Sequence, residues 1–153
     1  MSYEERAKSI GITIPQAATP LGAYVLAVQS GTLLFTAGQG PVKDGVPVFK
    51  GKVGQDLTLE QGYEAAKLST VNCLAAAKSF LGTLDRIERV VKVNGYVSSA
   101  HGFTDQAKVM NGASDLLVQI FGEQGRHART SIGVSELPLD IAVEVELVLS
   151  CKP

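Results

Sequence analysis

An excess of charge of either sign is missing from this chain: 14 lysines and arginines stand against 15 aspartates and glutamates, for a net charge of −1. That balance offers no global field to attract nucleic acid or an anionic membrane. The small groups Arg86, Arg89, Lys92 and Arg126, His127, Arg129 read as solvated surface, the first diluted by Asp85 and Glu88. Histidine is scarce too. His101 and His127 are the only two, and neither has a second histidine or a cysteine at metal-ligand spacing. This argues against a zinc site and the familiar triads, and leaves each a surface or capping role. The two cysteines, Cys73 and Cys151, lie far apart, so unpaired, reduced thiols in a cytoplasmic protein are expected. No apolar stretch approaches ~18 residues, and the first six residues are acidic and charged rather than a basic prelude to an apolar core, so no membrane segment is expected. Gly38-Gln39-Gly40 lacks the further glycine and the Lys-Ser/Thr pair of a phosphate loop and reads as a turn. Linkers, repeats and low-complexity segments are also missing.

What is there is one domain of 153 residues, long enough to bury a core without disulfide or metal. Residues 1–20 form an N-terminal extension. Ser2 and Glu5 fit a capping box, followed by a short amphipathic helix that ends at Gly11, and Pro15 and Pro20 then hold the chain extended. Tyr24–Gln29 and Leu33–Ala37 are strand-like runs joined by a tight Ser30-Gly31-Thr32 turn. After a loop around Asp44-Gly45, Thr58 and Gln61 form a second capping box. The long helix behind it carries a face of mostly small residues, Gly62, Ala65, Ala66, Ser69, Asn72, Cys73 and Ala76, able to lie close against a neighbour. Ile87–Val97 is a strand, with Val91, Val93 and either Tyr96 or Val97 expected to be buried. Thr104–Phe121 is a helix stopped by Gly122. The order β-β-α-β-α-β-β predicts an α+β domain with two helices on one face of a mixed sheet.

The C-terminal stretch carries the chemistry. Ala128–Val134 and Ile141–Leu147 both alternate with the period of two that a strand imposes. Read as the two arms of a hairpin, they bring Arg129 and Glu144 to one side of a sheet, where Ser131, Gly133 and Ala142 leave room. Two readings stay open at this point: an ordinary ion pair worth about 0 to 1 kcal/mol, or a binding site.

The first two strands are apolar on both faces, yet two helices cover only one. An uncovered second face would be a large hydrophobic patch, so a homo-oligomer packing sheet against sheet is expected, with Arg129 and Glu144 near subunit boundaries. The alternative is that the N-terminal extension folds over that face.

Taken together, Gly22-Ala23-Tyr24, Gly38-Gln39, Ala128-Arg129, Leu137-Pro138 and Val143-Glu144-Val145-Glu146, in that order, resemble the RidA/YjgF family of reactive-intermediate deaminases, also labelled L-PSP endoribonucleases. The likeness covers roughly residues 17–150. It implies a chorismate-mutase-like fold, a homotrimer with a site in each cleft between subunits, and no cofactor or metal. It further implies that Arg129 binds a ligand carboxylate, that Glu144 positions water and that the Tyr24 hydroxyl reaches the ligand. The resemblance also implies that Ala37, Gly38 and the backbone at Ser131 are ligand-binding positions of the same site. Two positions depart from the family pattern: Ala37 stands where a serine usually precedes Gly-Gln, and Ser131 where a cysteine usually follows the arginine.

Three functions follow as expectations. The first is a trimeric enamine/imine deaminase that hydrolyses small 2-imino acids of the 2-aminoacrylate type. The second is a non-catalytic protein that keeps the carboxylate clamp, which Ala37 allows. RNA cleavage, the third, rests on the older label and has no basic surface or paired histidines behind it.

Overall fold

The computed structural model describes residues 1–153. A short helix α1 (Tyr3–Ser9) is followed by strands β1 (Ala27–Ser30) and β2 (Leu33–Thr36), and by a small hairpin, β3 (Val42–Lys43) and β4 (Val46–Pro47). Then come the long helix α2 (Leu59–Leu81), strand β5 (Ile87–Ser98), helix α3 (Gln106–Phe121), β6 (Ala128–Val134) and β7 (Val143–Cys151). The main sheet runs β1-β2-β7-β5-β6, with β5 and β6 parallel and every other pair antiparallel. This is the expected α+β order, with the β3–β4 hairpin as an addition around Asp44-Gly45, both of which adopt positive φ.

Local signals set the helix ends as the sequence implies. Ser2 and Thr58 each cap a helix reciprocally with the residue three positions on, Glu5 and Gln61, so two otherwise orphaned backbone donors are satisfied at each start. Gly82 and Gly122 stop α2 and α3 with positive φ, where a side chain would be strained. The small-residue face of α2 does press close to its neighbours. The Ser69 hydroxyl and Cys73 thiol reach the Val143 and Val145 carbonyls of β7, and Gly112 of α3 faces the Tyr63 carbonyl and Ala66 so tightly that a Cβ there would collide with α2 backbone. Cys73 and Cys151 are both unpaired and buried, and burial pushes the Cys73 thiol up to about 12. None of the helices is long and apolar enough to cross a membrane.

The C-terminal hairpin does not form. β6 and β7 each pair with β5, which lies between them, and residues 135–142 cross the end of that strand. Their register puts Arg129, Val93 and Leu147 in one row and Ile132, Tyr96 and Glu144 in another. Residues in register share a face and neighbouring rows alternate, so Arg129, Ser131 and Gly133 face the helices while Glu144 faces the open side. Arg129 and Glu144 are therefore on opposite faces of one sheet, not the same face. Neither an ion pair nor a shared cleft can join them within one chain.

The N-terminal extension does not cover the open face either. Tyr3 packs against Phe121 with ring centroids 4.5 Å apart and planes tilted by 59°, Arg6 donates to the Ile120 carbonyl at 3.1 Å, and Ile12 and Ile14 pack on the core. It therefore belongs to the helical layer. Val28, Phe35 and Ile132 stay 53%, 43% and 44% exposed on the other side. Within β5, Val93 and Val97 are buried, Tyr96 points outward, and Val91 sits half-buried at a register shift.

Replacing Gly112 by alanine forces α2 and α3 apart. We expect Gly112→Ala to destabilise the fold by about 1–3 kcal/mol, the usual cost of overpacking, read as a lower midpoint in thermal denaturation.

Candidate functional site

Two clusters of polar side chains stand where the sequence places site residues, one on each face. The first is built around Arg129. Because β6 is an edge strand, its helix-facing side chain curls onto α3 instead of entering the core. Nη1 donates to Asn111 Oδ1 and to Ser114 Oγ, each at 3.0 Å, and Nη2 donates to the Ala107 carbonyl at 3.1 Å. A guanidinium has five donors in a rigid fork. Three are committed here, leaving Nε–H and one Nη2–H for a ligand, and a carboxylate accepts such a pair bidentately. Asn111 and Ser114 were not singled out from the sequence. Their signal was there in retrospect: positions 107, 111 and 114 recur at helical spacing on the face that meets β6.

Ser131, two residues along the same strand, lies beside Arg129 on the helix side. Its hydroxyl oxygen is buried and has no hydrogen-bond partner. Gly95 and Gly133 flank it; a Cβ on the first would strike Met110 and on the second Gln106 and the Ser99 hydroxyl. Small residues here let α3 and its N-terminal approach close over the strand.

The second cluster is on the open face. β2 and β7 pair from Leu33 to Phe35, and then the ladder slips: Thr36 accepts the Leu147 N–H with its hydroxyl at 3.0 Å, and pairing resumes between Gln39 and Val145. Three residues, Thr36, Ala37 and Gly38, thus oppose two, Glu146 and Leu147, which makes a bulge. Asn72 of α2 fixes the far side of this bend, donating to the Gly40 and Val42 carbonyls at 2.9 Å each. The bend brings Gly38 against the Glu144 carboxyl, where a Cβ would lie 3.0 Å from Cδ. No larger residue fits at 38 while Glu144 keeps this pose. Ala37 continues the outer ladder by donating its N–H to the Leu26 carbonyl at 2.8 Å.

Glu144 does not stand alone. Glu146 shares its face two residues on and is pinned by the Tyr96 hydroxyl at 2.8 Å and the Asn94 amide at 3.2 Å, both to Oε1. Burial, and after it the neighbouring Glu146 charge, raises the Glu144 pKa above the ordinary carboxylate value. The hydrogen bond to Glu146 likewise holds the Tyr96 phenol protonated. A carboxyl that takes up a proton more readily is suited to receive one from water. Tyr24 is not strongly tied to either cluster: it precedes β1, is 52% exposed and packs its ring over Gly22. The structure therefore brings Glu144 and Gly38 together with Ala37 beside them, and Arg129 together with Ser131, but keeps the two groups on opposite faces.

The raised Glu144 value has a consequence for stability. A group whose pKa is higher in the folded chain favours folding below its unfolded value, about 4.3, and that contribution is lost as pH rises through the folded value. Glu144→Gln escapes the loss. Its melting temperature relative to the parent should rise between about pH 4 and pH 7, and a constant difference would contradict the burial argument.

Comparison with known proteins agrees with this architecture. Residues 4–150 match the model of the family described as "YjgF/chorismate_mutase-like, putative endoribonuclease". The chain is 44% identical over 138 residues to Protein TCP17 of Trypanosoma cruzi, covering 90% of this chain and 86% of that one. The crystal structure of Atu1372 from Agrobacterium tumefaciens is 41% identical with a TM-score of 0.91, over 98% of this chain and 92% of that one. The Escherichia coli protein TdcF, solved with bound serine, shares the fold at a TM-score of 0.60 and 23% identity, over 90% of this chain and 94% of its own. The chain belongs to the RidA/YjgF family, and its fold is the chorismate-mutase-like fold of that family.

Proposed function

We propose that the chain is a homotrimeric enamine/imine deaminase whose site forms where the Arg129 cluster of one protomer meets the Glu144 cluster of the next. The observation that carries this reading is the placement of the two clusters on opposite faces of one sheet. A carboxylate clamp and a water-orienting carboxyl separated in this way act on one small ligand only across an interface between copies. The exposed Val28, Phe35 and Ile132 support such an interface, since an apolar face of this kind is a site for protein contact. That the fold holds serine in TdcF agrees with a small amino-acid-like ligand.

In this reading the free Nε–H and Nη2–H of Arg129 grip the carboxylate of a 2-imino acid. Its enamine form first tautomerises to the imine. Water then adds to the imine carbon as Glu144 takes one of its protons and passes it to the imine nitrogen, giving a tetrahedral adduct that carries hydroxyl and amine on one carbon. Transfer of the hydroxyl proton to that nitrogen, again through Glu144, breaks the C–N bond, expels ammonia and leaves the 2-keto acid. The imine is already electrophilic, so most of the rate comes from holding it beside an oriented water. The Tyr24 hydroxyl completes the ligand's surroundings, with Ala37, Gly38 and Ser131 shaping the space. No cofactor enters.

Ala37 favours a second reading, a carboxylate-binding protein without turnover, because the hydroxyl usual at that position is gone. RNA cleavage fits less well: Glu144 and Glu146 side by side repel a phosphodiester.

One assay separates these. With 2-iminopropanoate generated by an amino acid oxidase, the parent protein should speed ammonia release, and Arg129→Ala should lower the rate about a hundredfold or more. Equal rates would end the deaminase reading, binding of pyruvate without acceleration would select the binding protein, and metal-free RNA cleavage lost in Arg129→Ala would select the nuclease. Sedimentation tests the assembly: Phe35→Asp should convert a trimer into monomers, whereas a monomeric parent would refute the shared site.

A further inference from the structure

On the helix side of β6 one hydroxyl joins two cationic or potentially cationic side chains. Ser114 Oγ accepts from Arg129 Nη1 at 3.0 Å and lies 2.8 Å from His127 Nε2. The direction of every proton in this group follows from one fixed point. His127 Nδ1 is 2.6 Å from the Gly125 carbonyl, which can only accept, so Nδ1 carries a proton. In the neutral ring Nε2 is then a bare acceptor. The Ser114 proton goes to Nε2, which turns the hydroxyl's lone pairs toward Arg129. The result is a directed chain from the guanidinium through Ser114 and His127 to the Gly125 carbonyl.

We propose that His127 is a positioning residue that, through the Ser114 hydroxyl, holds the Arg129 guanidinium in its ligand-binding pose and releases it when the imidazole is protonated. The inference rests on the reading of Arg129 as the carboxylate clamp. Protonated, Nε2 turns from acceptor to donor, and Ser114 is then asked to accept from two cations while its own proton loses its acceptor. The imidazolium stays in place, because the short bond to Gly125 anchors it. Arg129, half-buried on an edge strand, loses the Ser114 bond and shifts on the two that remain, to Asn111 and the Ala107 carbonyl. A second positive charge would also attract a ligand carboxylate, but the ligand lies beyond the guanidinium, farther from the ring than Arg129 itself, so repulsion of Arg129 dominates.

The surroundings leave this pair to act on each other. The charged groups on the neighbouring elements are Lys108 and Asp115 on α3, Glu123 and Arg126 in the turn after it, and Arg89 and Lys92 on β5. Asp115 is bound by the Tyr63 hydroxyl at 2.7 Å and Arg126 pairs with Glu123 at 3.0 Å. Burial is the main influence that lowers the His127 pKa; the hydrogen bond to the Gly125 carbonyl opposes it, and Arg129 is the one charge that adds to the lowering.

Pyruvate, the product of the proposed reaction, is the probe. Titrated downward from neutral pH through the range below the ordinary imidazole value of about 6.5, the parent protein should lose affinity on acidification by about three- to tenfold, the worth of one hydrogen bond. His127→Gln keeps an acceptor for Ser114 but does not titrate, so its affinity should stay level. Identical profiles in the two proteins, or tighter binding at low pH, would overturn the proposal. A second readout needs no ligand: the side-chain nitrogen resonances of Arg129 should shift with the midpoint of the His127 ring in the parent and lose that coupling in Ser114→Ala. If pyruvate does not bind at all, the clamp reading of Arg129 fails while these resonances still judge the relay. Arg129 signals that ignore the ring would refute it even where pyruvate binds.

Discussion

Leu147, Val93 and Arg129 stand in one row across three strands, and that row fixes where the Arg129 and Glu144 side chains point. Leu147 and Val93 are buried under the helices. Sliding either strand by one residue would turn a whole set of core side chains to the open face. The hydrophobic core therefore sets the register, and the register sends the Arg129 side chain toward α3 and the Glu144 side chain away from it. The placement of the two polar clusters depends on a packing constraint in residues that belong to neither of them.

Around that constraint the irregular backbone includes one feature beside a polar cluster and another where the chain crosses the sheet's end. The bulge at Thr36–Gly38 breaks the β2–β7 ladder only beside Glu144, and Asn72 braces it from α2. Phe49, Leu139 and Asp140 all hold positive φ although none is glycine. They meet where residues 135–142 cross the end of β5, with Gly51 donating to the Asp140 carbonyl and Ala142 to that of Phe49. Such backbone persists only when its neighbours over-determine it. Here the crossing must join β6 to β7 past an intervening strand in few residues.

Much of this was legible in the sequence where the signals are local. Capping boxes at Ser2 and Thr58, glycine stops at 82 and 122, and the alternation of β7 each follow from residues within a turn of one another. The β6–β7 relation was not legible, because a run of turn-forming residues between two alternating segments looks the same whether the arms pair directly or a third strand lies between them. Only the insertion of β5, governed by contacts distant in sequence, decides the matter. That insertion also reversed which side of β6 faces inward. The family motifs pointed to Arg129 and Glu144 regardless of the faces. Partners that hold them, Asn111, Ser114 and Glu146, belong to patterns that in isolation read as solvated helix and strand positions.

The close seat of Gly112 against the α2 backbone bears on more than helix packing. Asn111 and Ser114 ride on α3, while Ser69 and Cys73 tie α2 to the strand that carries Glu144. One glycine thus sets the lateral spacing of the two helices, and through them the place of the Arg129 cluster relative to the strand that carries Glu144. In an assembly of identical copies that dimension is repeated at every junction, so a misfit of a few tenths of an ångström at this single contact would be felt at all of them together.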